Sequence, residues 1–359
     1  MSKSSIIAMM YIITFAMAFC ISYTLTPLIR WTSLKMHWLD KPNWRKVNTN
    51  PMPLVGGLAI FCGFLATILF ISGQQPFFPI KDKLLSVLAT SFIICLVGMA
   101  DDIKGLSPRR KLFYQLVAAA IATLLGFMIL KVSSPFGGHI NAPFVFSLLI
   151  TVLWIIGFTN AINLMDGLDG LAAGVSSIIA ISLFFAAIRT NNPLMAILSI
   201  ALAGSALGFL PHNFFPAKIF MGDTGSMFLG FIIALISIEG AFKSTTLLTL
   251  IIPIVAMGVP IIDTGLSILR RLVKGNGVFK ADKEHIHHRL LFQEGSQKKA
   301  VIRLYLLTGS FGLISVSLSG MKGLWVLSAL IITLILTLRW IHNTNLLDFE
   351  ATATKEKRS

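Results

Sequence analysis

Charge is the first thing this sequence lacks. Of its 359 residues only 13% are Asp, Glu, Lys or Arg, against about 25% in an ordinary globular domain. A soluble surface cannot be built from so few charges. The 55% apolar content and a mean hydropathy of +0.81 complete that exclusion. The chain therefore reads as an integral membrane protein. Acid is scarcer than base, 15 Asp+Glu against 30 Lys+Arg, for a formal net charge of +15. In a membrane protein such an excess points to loop anchoring and anionic lipid, and nucleic acid is not expected as a partner. There are three cysteines (Cys20, Cys62 and Cys95), all in apolar runs and without CxxC spacing. That excludes a disulfide framework or a cysteine metal site and leaves them as small apolar residues. Short alternating apolar and polar segments are missing too, which excludes a transmembrane β-barrel.

What is present is a series of continuous apolar runs. A bilayer core of about 30 Å needs about 20 helical residues. About 11 runs qualify, at 6–29, 54–73, 84–100, 112–131, 143–159, 170–188, 194–210, 226–242, 247–268, 301–319 and 323–341. The first lacks a small-residue cleavage site and is too long for a signal-peptide core, so it is expected to span. The expected fold is all-α: a polytopic integral membrane protein with about 11 transmembrane helices. Residues 1–342 form one transmembrane catalytic domain with cytoplasmic active-site loops, and 343–359 a polar cytoplasmic tail.

Assigning the gaps alternately to two sides divides Lys+Arg 23 to 7. Basic residues stay cytoplasmic, so the N-terminus is expected outside and the C-terminus inside. The basic side also holds 13 of the 15 carboxylates, which the positive-inside rule does not predict. A face rich in both signs suggests a polar site assembled from several loops.

Four segments on that face carry chemistry. Asp101 and Asp102 close the third span in GMADDIKGLSPRRK. A helix C-terminus disfavours negative charge, so the pair reads either as a solvated loop start or as carboxylates handling a metal or a proton. Ser107 and Pro108 have the form of an N-cap and first position of the next helix. Arg109, Arg110 and Lys111 read as membrane anchors. In NAINLMDGLDGLAAG, Asn160, Asn163, Asp166 and Asp169 recur every third residue. In a regular α-helix they would fan around the axis, so converging requires a tight or irregular segment, which Gly167 and Gly170 permit. Capping of the sixth span would explain Asp169 alone. In PHNFFPAKIFMGDTGS, Asp223 stands just before a helix between Gly222 and Gly225. It reads equally as an N-cap or as a ligand with backbone close by. Phe220 could stack on a planar base or anchor at the membrane edge. In KADKEHIHHRL, His285, His287, His288 and Arg289 form a donor cluster for phosphate oxygens or a solvated amphipathic loop. Zinc is discounted, because strong ligand spacing is absent. The first inner loop adds Arg45, Lys46, Pro51, Pro53 and Gly56-Gly57, which suggest backbone packed beside a site.

Acids, bases and imidazoles on one membrane face suit Mg²⁺-assisted chemistry on phosphates. Taken in order, DDIKGLSPRRK, NAINLMDGLDGLAAG, HNFFPAKIFMGDTGS and HIHHRL resemble the polyprenyl-phosphate N-acetylhexosamine-1-phosphate transferase family over nearly the whole chain. The likeness is greatest to bacterial undecaprenyl-phosphate N-acetylglucosamine-1-phosphate transferases that start teichoic acid or O-antigen synthesis. The muramyl-pentapeptide branch typically has Pro where His285 stands and His where Arg289 stands. Relatives often have His where this chain has Asn48.

The resemblance implies transfer of N-acetylglucosamine-1-phosphate from UDP-GlcNAc to undecaprenyl phosphate, giving undecaprenyl-diphospho-GlcNAc and UMP, at the cytoplasmic face of the bacterial cell membrane. It implies Mg²⁺, with Mn²⁺ a candidate substitute, and a homodimer is a candidate assembly. Asp223 matches the principal Mg²⁺ ligand. Asp101, with Asp102 beside it, matches the residue proposed as base toward the lipid phosphate. Asn160, Asn163, Asp166 and Asp169 fall in the nucleotide-binding stretch, with Phe220 near the uracil. His287 and His288 match histidines near the diphosphate, flanked by His285 and Arg289, and Lys46 approximates a basic residue of the first inner loop. A phospho-N-acetylmuramoyl-pentapeptide transferase is the near alternative. A secondary transporter is a distant one, because Glu239 and Asp263 lie near opposite ends of their spans and no repeat is visible.

Overall fold

The computed structural model describes residues 3–40, 50–129, 131–133, 139–141, 143–242, 248–273, 285–321 and 324–343. Lys46, with Arg45 and Asn48, lies outside them, as does the tail from 344. Every expected apolar run contains a helix, although the fourth leaves its helix at Leu124: α1 Lys3–Lys35, α2 Gly57–Ser72, α3 Lys81–Lys104, α4 Pro108–Leu124, α5 Phe144–Met165, α6 Leu171–Arg189, α7 Pro193–Asn213, α8 Gly222–Phe242, α9 Leu248–Ala256, α10 Gly258–Val273, α11 Ile286–Glu294, α12 Gln297–Leu318 and α13 Leu324–Asn343. Two ribbons of two strands accompany them, β1 Leu39–Asp40 with β2 Met52–Pro53 and β3 Lys131–Ser133 with β4 His139–Asn141. Among the described residues seven helices are long and apolar enough to cross a membrane, or eight if α9 and α10 count as one bent span. The chain is a multi-pass, all-α membrane protein.

The run expected as one ninth span is broken. Its halves are bent by 77°. Pro260 carries no N–H for the carbonyl four residues earlier, and its ring crowds that turn. Gly258 packs against the Phe311 ring so closely that a Cβ would stand 2.8 Å from it, so α12 packs directly against the bend.

The centre of the bundle is α8, wrapped by α2, α3, α5 and α7 and buried almost throughout from Thr224 to Glu239. Helix association in lipid depends on close packing more than on the hydrophobic effect, and small residues permit it. A Cβ on Gly57 would strike the Gly225 backbone, and one on Gly98 would stand 2.6 Å from the Thr224 Cα. Glycine lets α2 and α3 press directly on the first turn of α8. This contact places the end of α3 beside the start of α8.

Candidate active site

Four helix ends meet at that contact. Gly105, at φ +67°, turns the chain out of α3 and donates its N–H to the Asp101 carbonyl at 2.8 Å. Ser107 caps α4 and Pro108 opens it, as the sequence predicts. Arg109 and Arg110 are exposed as expected of anchors, whereas Lys111 turns inward. Its Nζ donates to Asn163 Oδ1 at 3.1 Å, lies 3.1 Å from Asp101 Oδ2, and pairs with Asp223 Oδ2. Asn163 Nδ2 donates to Asp223 Oδ1 at 2.8 Å and to Ser226 Oγ at 2.9 Å. Three side-chain oxygens from α3, α5 and α8 thus converge on one cationic nitrogen.

Asp102 does something different from its neighbour. Its Oδ1 accepts the Asp223 N–H at 2.7 Å, and its Oδ2 accepts the Thr224 N–H at 3.0 Å and hydroxyl at 2.5 Å. An α-helix leaves its first amides without internal partners, and here α3 supplies the capping carboxylate. Asp223 is therefore in the first turn of α8, not at its N-cap, and its side chain is turned to the Lys111 cluster.

Two loops close the site. Asp166 ends α5, and Gly170 starts α6 at φ +76°. Asp169 does not cap α6; its Oδ2 accepts the Ala217 N–H at 2.9 Å, tying this loop to the one between α7 and α8. Buried Asn213 makes a second tie, accepting from Gly170 N–H at 3.1 Å and donating to the Ile219 carbonyl at 3.0 Å. The Tyr305 hydroxyl donates to the Gly170 carbonyl at 2.5 Å. Burial pushes the Asp166 carboxyl up to about 8, with the charges of Asp223, Asp102 and Asp169 adding to the shift. The segment between α1 and α2 packs on the loop between α7 and α8. Phe220 N–H donates to the Pro53 carbonyl at 2.8 Å, and Gly56 and Gly57 donate to the Phe220 and Met221 carbonyls at 3.0 and 2.8 Å.

The histidines part company. His285 is buried on α10, His287 is buried with its ring against Gly167, and His288 faces the pocket. Burial pushes His287 down to about 3, so at neutral pH it is an uncharged packing group. Arg289 follows in α11, half-buried and away from the pocket lining.

The resulting pocket of about 780 Å³ is lined by Asp101, Asp102, Asn163, Asp166, Asp169, Phe220, Asp223 and His288. It brings together most of the residues picked out in the sequence. Asn160 is not among them; its amide donates to Gln115 Oε1 at 2.9 Å and to the Ile156 carbonyl at 2.9 Å. The pocket adds Asp40, Asn50, Asn213, Phe215 and Gln297. Lys111 was missed among three consecutive cations, although it shares a helical face with Gln115, Ala118 and Ala122, all buried.

Residues 84–241 match the family described as Glycosyl transferase family 4. The chain is 38% identical over 330 residues (92% of this chain, 90% of the relative) to a Bacillus subtilis (strain 168) protein named "Probable undecaprenyl-phosphate N-acetylglucosaminyl 1-phosphate transferase". It is 34% identical to the decaprenyl-phosphate N-acetylglucosaminephosphotransferase of Mycobacterium leprae (strain TN), over 87% of this chain and 86% of the relative. It is 35% identical to the phospho-N-acetylmuramoyl-pentapeptide-transferase of Halalkalibacterium halodurans, over 66% and 75%. With these likenesses running through the helix ends that build the pocket, the chain belongs to glycosyl transferase family 4, among the polyprenyl-phosphate N-acetylhexosamine-1-phosphate transferases.

Proposed function

We propose that this protein transfers N-acetylglucosamine-1-phosphate from UDP-GlcNAc to undecaprenyl phosphate at the cytoplasmic face of the cell membrane, beginning a cell-envelope polysaccharide such as teichoic acid or O-antigen. The carrying observation is the convergence of Asp101, Asn163 and Asp223 oxygens on one cation position inside a pocket that Phe220 and His288 also line. The names of the B. subtilis and M. leprae relatives support the GlcNAc donor.

The donor set fits Mg²⁺. Among the described residues no three His, Cys, Asp or Glu side chains could hold a metal by themselves. Mg²⁺ is commonly held by one or two carboxylates together with substrate phosphates. Asp223 and Asp101 would be those carboxylates, with Asn163 and Lys111 beside them. Bound there, Mg²⁺ would offset charge on the diphosphate and on the departing UMP.

The chemistry asked of the chain is mainly positioning. A phosphate monoester has a second pKa of about 6, so undecaprenyl phosphate is largely a dianion at neutral pH. A non-bridging oxygen of that dianion attacks the sugar-linked phosphorus in line. The bond to the UMP oxygen breaks, and UMP leaves with its electron pair. Asp101 accepts the remaining proton when the lipid phosphate is a monoanion. Lys111 keeps Asp101 and Asp223 close despite their like charge. Phe220 offers a face to the uracil, and Asp166 and Asp169 line the nucleotide's path. A two-step route would make an aspartate the nucleophile and pass through a phospho-sugar adduct. Exchange of labelled UMP into UDP-GlcNAc without lipid acceptor, in lipid-depleted enzyme and lost in Asp101→Asn, would establish that route instead.

The deciding experiment is a donor panel with purified protein, undecaprenyl phosphate and Mg²⁺, read as UMP release. UDP-GlcNAc should be turned over and UDP-N-acetylmuramoyl-pentapeptide should not. Release only from the latter would transfer the assignment to the muramyl-pentapeptide reaction. Eleven spans with the N-terminus outside are tested by cysteines placed in a background lacking Cys20, Cys62 and Cys95. One at Thr352 should be shielded from an impermeant thiol reagent in intact cells, and one at Gln74 should label; the reverse would invert the orientation.

A further inference from the structure

Helix α11 begins without a cap of its own. The residue before it is His285, whose side chain makes no capping bond and turns away onto α10. The missing acceptor comes from Asp263, in the second turn of α10 and 2% exposed. Its Oδ1 accepts the Ile286 N–H at 2.6 Å, and its Oδ2 lies 3.0 Å from His285 Nδ1. Ser267 Oγ, one turn further along α10, is 3.1 Å from the same nitrogen. His287 Nδ1 is 3.9 Å from Asp263 Oδ2, beyond hydrogen-bond length. A carboxylate buried this deeply is stable only if donors surround it, and both of its oxygens are directed to the start of α11.

What this anchor controls is visible on the other side of α11. The His287 ring rests on Gly167, where even a Cβ would overlap it. Gly167 belongs to the loop that carries Asp166. His288 follows, its ring centroid 4.3 Å from that of His287, and lines the pocket. We propose that Asp263 is a positioning residue: it fixes the first turn of α11 through Ile286 and His285, and so sets His288 at the pocket wall. Asp263 does not line the pocket and acts only through α11. The proposal deepens the transferase reading above and rests on it for the substrate, whereas the anchoring can be measured without substrate.

The test combines hydrogen exchange with kinetics on full-length protein in detergent. Asp263→Asn keeps the side chain's shape and an acceptor oxygen but loses the charge that both α11 donors face. His285→Asn tests the same link from the α11 side if the Asp263 variant is poorly folded. Either should raise exchange across 286–294 while leaving the segment around Gly98 at the wild-type rate. With UDP-GlcNAc and undecaprenyl phosphate, kcat/KM for the nucleotide sugar should fall about 10–100-fold, on the scale of one charged hydrogen-bond link. The KM for the lipid acceptor and the midpoint of thermal unfolding should stay near wild type. In a His288→Asn background, Asp263→Asn should cost less than about 3-fold more, because residues acting as one unit are not additive.

Unchanged exchange over 286–294 in both variants would overturn the anchoring. Full multiplication of the two effects, or wild-type kinetics in Asp263→Asn, would overturn the link to His288. Wild-type protein that turns over no UDP-GlcNAc would defeat the transferase reading, and the exchange result would still decide the anchoring.

Discussion

Buried charge is handled differently at the two ends of α8. Near its C-terminus Glu239 is 2% exposed and pairs with Lys83 Nζ at 2.7 Å, while Asn192 donates to its backbone carbonyl at 3.1 Å. Here a buried acid meets a base directly. Near its N-terminus the Lys111 ammonium is divided among Asp101, Asn163 and Asp223, with Asp102 and Asp166 close by. The first arrangement is closed and can hold two helices together. The second leaves carboxylates facing one another across a pocket, an arrangement that becomes favourable when a cation enters. Perturbed, crowded acids in a cleft mark function, whereas a matched pair marks construction. The distinction also disposes of the intramembrane acids that kept a transporter in view. Glu239 has Lys83, and Asp263 has His285 and Ile286.

Substitutions at each end should therefore fail in different ways. The largest effect is expected from Asp223→Asn. UMP release should fall by about 10²–10³-fold or more, the scale of removing one preorganised electrostatic group, while the unfolding midpoint hardly moves. Near-normal turnover at ordinary Mg²⁺ would take Asp223 out of the metal site.

Lys111→Met should come next, with about 10²-fold lower kcat/KM. Without the ammonium, Asp101 and Asp223 repel one another. Lys111→Arg should not restore the rate, because a planar fork cannot replace a point charge shared three ways. Full activity in the Met variant would return Lys111 to the role of a membrane anchor.

At the opposite end the loss should be of stability. Glu239→Gln removes the carboxylate that Lys83 pairs with and should cost about 2 kcal/mol. Lys83→Met with Glu239→Gln should recover part of it, and kcat should stay at wild type throughout. A kcat loss comparable to that of Lys111→Met would erase the difference between the two ends.

The smallest effect concerns pH. The Asp166 carboxyl is raised from its ordinary value to about 8, so the folded protein holds a proton there that the unfolded chain releases above about pH 4. This contribution to stability is complete below that pH and is lost as pH rises toward 8. Without divalent cation or nucleotide, the unfolding midpoint should decline over that window, and Asp166→Asn should flatten the decline. An unchanged slope in Asp166→Asn would assign the dependence to other groups.

Much of this was legible from the chain alone, for particular reasons. Apolar runs of bilayer length marked the helices, because lipid forces the backbone to satisfy itself. Ser107-Pro108 marked the start of α4 through local capping chemistry. The motifs located the pocket because each lies at a helix end on one face. What the chain did not disclose was which way neighbours point. Asp101 and Asp102 are adjacent, yet one faces Lys111 and the other caps α8. Asn160 and Asn163 sit three residues apart on α5 and face different partners. His285, His287 and His288 look like one cluster and serve three surfaces. Those directions depend on contacts between helices far apart in sequence. The break between α9 and α10 had local signals in Gly258 and Pro260, but continuous hydrophobicity concealed it.

In the proposed reaction, the Asp102 contact limits how the diphosphate would be held. The start of a helix is a common cradle for phosphate, since its free amides and positive dipole end both face the anion. At α8 that cradle is taken: the Asp223 and Thr224 amides are bound to a carboxylate, and an incoming phosphate would meet negative charge there. The backbone route to anion recognition is closed at α8, so in the proposed reaction affinity for the nucleotide sugar would fall to side chains and to a recruited cation. Its nucleotide binding should therefore depend steeply on divalent ions, unlike that of proteins that cradle phosphate with backbone amides.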